Sequence, residues 1–193
     1  ARGGRCTSKI LRRAKATNID CGEGLMKFFD LTGKVAIITG GNGGIGLGMA
    51  KGLAQAGASI AIVGRNQRKN ATALEEIKAL GADAMAIEAD VCDSEAVAAM
   101  IATVVDQWGA IHILVNNAGI SIRKRPEKLS EKEWLKVLDT NLTSAFLCSK
   151  SCYPIMKKAG GGKILNNGSM LSLFGSPKGS AYGSSKGGIM QMT

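Results

Sequence analysis

The sequence predicts an α/β fold in which a doubly wound parallel sheet carries helices on both faces. Short apolar runs alternate with segments of helical periodicity from Gly33 onward, and this alternation is typical of parallel strands joined by crossover helices. A glycine-dense turn joins the first apolar run to the first helical segment. Glycines also follow successive helical segments, at Gly57, Gly81 and Gly109, where a helix C-terminus favours them.

The length and composition indicate one domain with an aliphatic core. The 193 residues are 45% hydrophobic but only 4% aromatic. No apolar run approaches the roughly 18 residues of a membrane span, so we expect no membrane partner. The five cysteines form no CxxC pair, and a single histidine is the only companion ligand. We therefore expect no metal site and a reduced, cytoplasmic setting.

The net charge of +10 does not indicate a nucleic-acid partner, because the charge forms no continuous patch. Residues 1–25 carry six basic and two acidic side chains, and the remaining charge is spread along the chain. A solvated surface accounts for this pattern. We expect residues 1–25 to be disordered or extraneous, with a targeting or docking arm as the alternative. Residues 26–193 then form the folded domain, because Met26 begins a stretch that resembles a natural protein start.

The first three strands and two helices follow from apolar spacing and glycine stops. The apolar run at residues 34–39 predicts the first strand, and residues 45–56 predict the helix after the glycine turn. Residues 59–63 predict a second strand. Apolar residues spaced three apart predict a helix over residues 67–80, and residues 84–88 predict the third strand.

The second half of the chain continues the alternation. Asp93 is a suitable N-cap for a helix over residues 96–108, and residues 111–115 predict the fourth strand. Ser130 and Glu133 fit a capping box that starts a long helix to about residue 158. Pro154 is expected to bend or break the last turns of that helix. Residues 163–166 open the predicted fifth strand, and residues 181–192 predict the last helix.

The turn after the first strand predicts a phosphate-binding site. Gly41, Gly43 and Gly46 match GxGxxG, whereas Thr39, Gly40, Gly44 and Gly46 match TGxxxGxG. A glycine turn that leads into a helix brings a phosphate close to unpaired backbone N–H groups and to the positive end of the helix dipole. Methyltransferases and ordinary glycine turns give similar spacings, so the motif alone predicts nucleotide binding without identifying the nucleotide.

The end of the second strand predicts which nucleotide is bound. A carboxylate at this position would bind a ribose 2′-hydroxyl, whereas an arginine suits a 2′-phosphate. The stretch Gly64-Arg65-Asn66 contains an arginine and no acid. NADP is therefore favoured over NAD, with an ordinary loop arginine as the alternative.

Three further motifs lie at or beyond the later strands. Asn116-Asn117-Ala118-Gly119 follows the fourth strand, where its amide side chains can join neighbouring strands and line a cofactor, with a plain turn as the alternative. Tyr182 and Lys186 are four residues apart, hence on one face of a helix. The lysine charge favours the phenolate, so this tyrosine can exchange a proton with an alcohol or carbonyl oxygen. Ser169 ends the fifth strand, where its hydroxyl can hold the same substrate oxygen.

Together these motifs resemble the short-chain dehydrogenase/reductase family over roughly residues 30–193. The resemblance implies a Rossmann-type fold with strand order 3-2-1-4-5-6-7, here truncated after the fifth strand and the following helix, and a nicotinamide cofactor. The stretches at 120–124 and 168–177 look most like gluconate and 2-deoxygluconate dehydrogenases, with 3-oxoacyl-carrier-protein reductases as close relatives. A homo-oligomer, with a homotetramer as the expected form, is implied for a full-length chain.

The resemblance also implies the roles of individual residues. Tyr182 would be the general acid/base, Lys186 would support it and bind the nicotinamide ribose, and Ser169 would orient the substrate oxygen. Asn141 would support a water that links Lys186 to solvent, and Asp90 would contact adenine. The implied cofactor-binding residues are Gly40, Asn42, Gly44, Ile45, Gly46, Arg65, Asp90, Val91, Asn117, Ala118, Gly119, Tyr182 and Lys186.

The chain departs from the family pattern in three respects. His112 stands where an aspartate is usual, and a structural histidine is expected there rather than a catalyst. Asn167 replaces an apolar residue inside the fifth strand, which leaves a buried amide in need of partners. The chain ends at Thr193, whereas family members continue.

The remaining candidate residues have ordinary structural explanations. Cys148 and Cys152 are one helical turn apart and are expected to pack in the core. The basic run Arg123-Lys124-Arg125 either attracts an acidic substrate or forms a solvated loop.

The sequence therefore predicts an NAD(P)-dependent oxidoreductase that acts on an alcohol or ketone, such as a sugar acid. The alternative is a nucleotide-binding module without turnover. A methyltransferase is disfavoured by the Ser169, Tyr182 and Lys186 set.

Overall fold

A five-stranded parallel sheet organises the computed structural model, which describes residues 29–193. The strands pair in the order β3-β2-β1-β4-β5, as predicted for the first five strands of the fold. The strand order reverses between β1 and β4, and such a switch point is where ligands bind in open α/β sheets. The strands are β1 (Val35–Thr39), β2 (Ser59–Gly64), β3 (Ala84–Glu88), β4 (Ile113–Asn116) and β5 (Lys163–Asn166).

Six α-helices alternate with the strands in the described part of the chain. Asp93 caps α3 by accepting hydrogen bonds from the N–H groups of Glu95 and Ala96, and Ser130 forms the predicted capping box with Glu133. The helices are α1 (Gly44–Gln55), α2 (Gln67–Lys78), α3 (Ser94–Trp108), α4 (Glu131–Leu138), α5 (Ser144–Lys158) and α6 (Ser180–Met192).

Helices cover both faces of the sheet. Successive β1 residues point to opposite faces, so β1 contributes to the core on each side. Val35 and Ile37 belong to a core formed with α3 and α5, whereas Ala36 and Ile38 belong to a core formed with α1 and α2. All four side chains are buried, so β1 reads as a continuous apolar run rather than an alternating one. The largest aliphatic side chains of this sheet therefore surround the strand that leads into the glycine turn.

The predicted long helix is interrupted by a π-helical turn at Asp139–Thr143. The wider turn joins α4 to α5 and contains the buried polar residues Thr140 and Asn141. Asn141 uses its side chain to bind both backbone polar groups of Ile120, in the loop after β4. Apolar periodicity gives no signal for this turn, because the constraint is a hydrogen bond to a distant loop.

Of the two effects expected of Pro154, a bend or a break of the last turns, the break is wrong, since α5 continues to Lys158. Cys148, Cys152 and Met156 pack in the core on either side of the proline, whereas Pro154 itself is exposed. Its ring removes one N–H donor, and the carbonyl left over belongs to the exposed Lys150. Water can therefore satisfy that carbonyl, and core packing keeps the helix intact.

The ends of β4 and β5 also differ from the prediction. β4 begins at Ile113 rather than at residue 111, and β5 ends at Asn166, so Asn167 follows the strand instead of lying inside it. Asn167 is half-buried, and its amide donates to Oδ1 of Asn117 at 2.9 Å. The unpartnered buried amide expected there is thus absent.

Two predictions fall partly outside the described residues. Residues 1–25, with Cys6 and Cys21, are not part of the chain that the structure describes. Within residues 29–193, no helix has both the length and the apolar character needed to cross a membrane.

His112 has a structural position just before β4. Its backbone N–H donates to the Val35 carbonyl at 3.0 Å, and its Nδ1 accepts the Val35 N–H at 3.1 Å. Burial, followed by the charge of Lys34, lowers the pKa of His112 below its ordinary value. The neutral imidazole is therefore the form that the fold uses.

We predict that acidification destabilises the protein through His112. Because the pKa of His112 is lower in the folded state, its contribution to the free energy of unfolding is fully present above about pH 6.5, the ordinary histidine pKa. This contribution is lost as the pH falls through the folded-state pKa. Urea unfolding at pH 7.5 and pH 5 should show a smaller acid loss for His112→Asn, which retains an acceptor but does not titrate. An equal acid loss in both proteins would contradict this role.

Candidate active site

Two adjoining cavities open at the carboxyl ends of the strands. We call them the Tyr182 cavity, of about 470 Å³, and the Arg65 cavity, of about 520 Å³. They share several lining residues from the glycine turn and from the loop after β4, so together they form one continuous trough across the switch point. The shared residues are Gly40, Asn42, Ala118, Gly119 and Ile120.

Most of the predicted site residues line this trough. The Tyr182 cavity contains Tyr182 and Lys186 together with residues of the glycine turn and Asn117, and the Arg65 cavity contains Arg65, Asp90 and Val91. Gly44, Asn141 and Ser169 are not among the lining residues of either cavity. The structure therefore brings the two ends of the predicted site together and leaves Ser169 outside it.

The glycine turn provides an open and uncapped helix N-terminus. Gly43 is the N-cap of α1, no side chain caps this end of the helix, and the first turn contains no acidic residue. A Cβ added to Gly43 or Gly44 would meet nothing within 4 Å, so open space faces this part of the turn. Unpaired N–H groups facing open space at a helix N-terminus suit the phosphates of a dinucleotide.

Other glycines in the turn are required by close packing. Gly40 has φ +63°, and a Cβ on Gly46 would lie 2.3 Å from the Gly40 carbonyl oxygen and 2.4 Å from Nδ2 of Asn117. A side chain at residue 46 would therefore separate α1 from the end of β1. The motif glycines thus have two separate functions. Gly43 and Gly44 leave open space at the start of α1, whereas Gly46 lets α1 lie close to the end of β1.

Thr39 and Asn117 fasten the turn to β4. The Thr39 hydroxyl donates to the Val115 carbonyl at 3.3 Å and accepts the N–H groups of Asn117 and Ala118, each at 3.0 Å. In return, Nδ2 of Asn117 donates to the carbonyls of Thr39 and Gly40 at 3.1 and 3.2 Å. The predicted role of this stretch in joining neighbouring strands is therefore visible in its hydrogen bonds.

Asn70 was not predicted as a site residue, yet it fixes one wall of the trough. It is only 3% exposed, and its Nδ2 donates to the carbonyls of Gly64 and Ile87 at 2.8 and 3.3 Å. Its Oδ1 accepts Nδ2 of Asn42 at 2.6 Å. No sequence signal marks Asn70, because an asparagine in an amphipathic helix is expected on the exposed face, whereas α2 buries it together with alanine and isoleucine.

The Arg65 cavity has a positive end. Arg65 and Lys69 line it, and Nη1 of Arg65 lies 3.6 Å from Oδ2 of Asp90. A hydrogen bond from the Cys92 N–H is the largest cause of the lowered pKa of Asp90, and the Arg65 charge contributes further. Both side chains of this pair are about half exposed, so the pair is weak and can open for a ligand.

The Tyr182 cavity contains the predicted proton-transfer pair. Tyr182 and Lys186 lie one turn apart on α6, with Nζ of Lys186 5.8 Å from the centroid of the Tyr182 ring. Lys186 is only 4% exposed, and its Nζ donates to the Asn167 carbonyl at 2.5 Å. Burial lowers the pKa of Lys186, which is the ordinary effect of removing an ammonium from water.

Ser169 and Asn141 have other partners in this structure. The Ser169 hydroxyl caps a short 3₁₀ turn at Met170–Ser172 by accepting the Leu171 N–H at 3.1 Å. The Asn141 amide binds Ile120 and also donates to the Ser185 hydroxyl at 3.0 Å. Asn141 thus contacts α6, which carries Tyr182 and Lys186, through Ser185.

The remaining candidates belong to structure rather than to the trough. Burial raises the pKa of Cys148 and of Cys152 to about 12, so both thiols stay protonated. Hydrogen bonds from Lys124, and secondarily from Ser130, lower the pKa of Glu133 to about 2. Arg123–Arg125 form an exposed segment that lines neither cavity. Among residues 29–193, no group of three or more potential metal ligands is present.

Comparison with known proteins gives a consistent family. A family model described as short chain dehydrogenase matches residues 34–193. A 3alpha-hydroxysteroid dehydrogenase of Mediterraneibacter gnavus is 40% identical over 168 residues, which cover 86% of this chain and 67% of the relative. A 3-oxoacyl-acyl-carrier-protein reductase (FabG) of Staphylococcus aureus strain Mu50 is 39% identical over 161 residues, covering 83% and 65%.

A sugar-acid enzyme and a solved structure extend this set. The 2-dehydro-3-deoxy-D-gluconate 5-dehydrogenase of Escherichia coli strain K12 is 39% identical over 170 residues, covering 88% of this chain and 66% of the relative. The crystal structure of NAD⁺-bound xylitol dehydrogenase superimposes with a TM-score of 0.82 at 34% identity, over 84% of this chain and 63% of the other. The chain therefore spans about two thirds of the length of these relatives. The resemblance stated from the motifs is confirmed.

Two glycines of α1 provide a matched test of the turn. Gly46→Ala should destabilise the protein by about 1–3 kcal/mol, because the new methyl collides with backbone and with Asn117. Gly48→Ala should be neutral or stabilising by up to about 1 kcal/mol, because nothing lies within 4 Å of its Cβ position. Urea unfolding measures both values. Equal effects of the two substitutions would show that close packing at Gly46 is unimportant.

Proposed function

Because the chain belongs to the short-chain dehydrogenase family, we propose that it transfers hydride between a nicotinamide dinucleotide and an alcohol or ketone. The observation that carries this proposal is one cavity lined by Tyr182, by the buried Lys186 and by the glycine turn. Family membership supports the assignment to the oxidoreductases. Beyond that assignment, we propose the cofactor preference, the substrate class and the turnover of this chain.

The residues of the trough fit a dinucleotide. Gly40, Asn42, Gly44, Ile45 and Gly46 would hold the phosphates through the turn and the start of α1. The open space at Gly43 and Gly44 supports this assignment, because side chains there would fill the cradle. The adenosine end would be held by Arg65, Asp90 and Val91, and the nicotinamide end by Asn117, Ala118, Gly119, Tyr182 and Lys186.

Proton transfer is assigned to Tyr182. When bound, the nicotinamide supplies or accepts the hydride, and Tyr182 Oη gives or takes the proton of the substrate oxygen. The ammonium of Lys186 would bind the nicotinamide ribose. Asn141 would support this end of the site through Ser185 and α6, which its side chain contacts.

Ser169 would orient the substrate oxygen after a change of hydrogen-bond partner. Its hydroxyl accepts the Leu171 N–H and can still donate its own proton. The capped turn that it begins also carries Met170, which is 78% exposed. To orient the substrate oxygen, this turn would have to bring the hydroxyl to the Tyr182 cavity, which Ser169 does not line.

NADP is the favoured cofactor, with NAD as the alternative. Two cations, Arg65 and Lys69, line the adenosine end, and the pocket there contains only Asp90 as an acid. The Arg65–Asp90 pair is long and half exposed, so a 2′-phosphate can compete for the guanidinium. The NAD⁺-bound xylitol dehydrogenase keeps the alternative open.

An anionic sugar acid is the proposed substrate class. The E. coli relative acts on a 2-dehydro-3-deoxy-gluconate according to its name, and the exposed Arg123 and Arg125 would attract a carboxylate. The Mediterraneibacter relative is a hydroxysteroid dehydrogenase, so a neutral hydroxysteroid is the contrasting substrate to test.

Binding without turnover is the second proposed function. One observation favours it: the Ser169 hydroxyl is used in a cap and does not line the cavity that contains Tyr182. Titration of the 193-residue chain with NADPH, followed by a turnover assay, separates the two functions. NADPH binding with no detectable hydride transfer to any aldonate, ketoacid or hydroxysteroid tested would favour the binding module.

The setting of the protein is proposed from its sequence. The absence of a CxxC pair among its five cysteines supports a reduced, cytoplasmic location.

The family supports small-molecule substrates, and we propose a homo-oligomer, with a homotetramer as the expected form. Residues 1–25 are proposed to contribute nothing to the dinucleotide-binding domain at 26–193.

Replacing Tyr182 tests the chemistry. Tyr182→Phe should lower kcat at least about 100-fold, because it removes the proton donor while keeping the ring. Nicotinamide absorbance with a panel of aldonates, ketoacids and hydroxysteroids measures the rate. Tyr153→Phe is the control, since this exposed tyrosine lies on α5 away from the trough. Full turnover by Tyr182→Phe would overturn the mechanism.

Replacing Arg65 tests the cofactor preference. Arg65→Ala should weaken NADPH binding by about 10- to 100-fold, which corresponds to the roughly 1.5–3 kcal/mol of a charged hydrogen bond. NADH binding should change less than about twofold by the same reasoning, because NADH has no 2′-phosphate. Arg68→Ala, on the exposed side of α2, is the charge-matched control. Equal losses for both cofactors would exclude a phosphate-specific role for Arg65.

A further inference from the structure

We propose that Asn167 is a positioning residue that connects the glycine turn to Lys186. Its side chain fixes the amide of Asn117 beside the turn, and its backbone carbonyl holds the ammonium of Lys186. The inference rests on the proposed dinucleotide-binding function and adds to it a residue that sets the spacing between the two ends of the Tyr182 cavity.

Asn167 makes three hydrogen bonds, each to a different part of the site. Its N–H donates to the Asn116 carbonyl at 2.9 Å, which continues the pairing of β4 with β5 by one residue. Its Nδ2 donates to Oδ1 of Asn117 at 2.9 Å, and its carbonyl accepts Nζ of Lys186 at 2.5 Å. Asn167 itself lines the Tyr182 cavity, so these bonds lie where the cofactor would bind.

The orientations of both side-chain amides follow from their partners. Asn117 faces the carbonyls of Thr39 and Gly40, and carbonyls only accept hydrogen bonds, so its NH₂ group must point toward them. Its oxygen then points toward Asn167, and only a donor can satisfy it. Asn167 must therefore present its NH₂ group. An apolar residue, which the family pattern favours at this position, could not make this bond.

Lys186 gives the second half of the connection. Its ammonium is almost completely buried, and burial alone lowers its pKa. A nearby carbonyl oxygen offsets part of the cost of burying the charge. Since the carbonyl belongs to the residue whose side chain holds Asn117, a displacement of residue 167 would move both partners together.

The structure provides a matched control one residue earlier. Nδ2 of Asn116 donates to Oδ1 of Asn166 at 2.8 Å, which is an amide pair between the last residues of β4 and β5, one residue before the Asn117–Asn167 pair. Asn166 does not line the Tyr182 cavity, because successive residues of a strand point to opposite faces. A change at Asn166 therefore removes an amide–amide hydrogen bond away from the proposed cofactor, with the difference that Asn166 accepts this bond whereas Asn167 donates its own.

The experiment compares Asn167→Leu, Asn167→Asp and Asn166→Leu with the wild-type 193-residue chain. NADH and NADPH dissociation constants come from nucleotide fluorescence, and urea unfolding gives the stability of each variant. Asn167→Leu should weaken binding about five- to tenfold, the effect of one neutral hydrogen bond. Asn167→Asp should weaken it at least as much, because the isosteric carboxylate lacks the donor. Asn166→Leu should bind like the wild type.

The isosteric variant separates positioning from packing. If Asn167 only fills space, Asn167→Asp should bind the nucleotides normally, and that result would overturn the proposal. Equal weakening by Asn166→Leu, after correction for stability, would overturn it too. A wild-type chain that binds neither nucleotide would refute the proposed function itself, whereas normal wild-type binding with unaffected Asn167 variants would refute only the positioning role.

Discussion

The tie between the ends of β1 and β4 is the constraint on which the rest of the site depends. At this switch point the chain leaves the sheet in opposite directions, so backbone pairing alone cannot hold the two loops together. Beyond the strand ends, the Thr39 side-chain hydroxyl and the Asn117 amide hold the loops together through five side-chain hydrogen bonds, which take the place of backbone pairing. Gly46 completes the arrangement, because only a glycine lets α1 approach this pair closely.

From this tie, the polar connections extend to both ends of the trough. On one side, Asn42 binds the buried Asn70, which holds the ends of β2 and β3. On the other side, Asn117 binds Asn167, whose carbonyl holds Lys186. Asparagine is suited to such connections because one planar group both donates and accepts without adding charge. The positive end at Arg65 and the ammonium of Lys186 therefore remain the main charges available to an anionic cofactor.

The sheet and its helices could be predicted from the sequence because their causes are local. Buried parallel strands read as short apolar runs, and capping residues such as Asp93 and Ser130 mark helix starts within four residues. The π-helical turn at Asp139–Thr143 escaped prediction because Asn141 serves the loop after β4, which no local pattern records. The break expected at Pro154 does not occur for the opposite reason: a local rule was applied where core packing decides.

The site was predictable only where a motif has a physical signature. Glycines, a Tyr–Lys pair and an arginine after β2 each predict a chemistry from residue type and spacing. Asn70 and Asn167 carry no such signature, since their meaning depends on which carbonyls surround them in the folded chain. Ser169 shows the same limit. Its position in the sequence indicated a site residue, but no pattern indicated that its hydroxyl caps the Met170–Ser172 turn.

The burial of Lys186 explains why the two ends of the site have to be built together. A lysine that is 4% exposed needs an acceptor for its ammonium, and a carbonyl that no strand ladder uses can provide one. β5 ends at Asn166, so the carbonyl of Asn167 is outside the ladder and can accept Nζ. One more residue of regular pairing with β4 would commit that carbonyl to the sheet. The point at which β5 ends is thus part of the geometry of the candidate site.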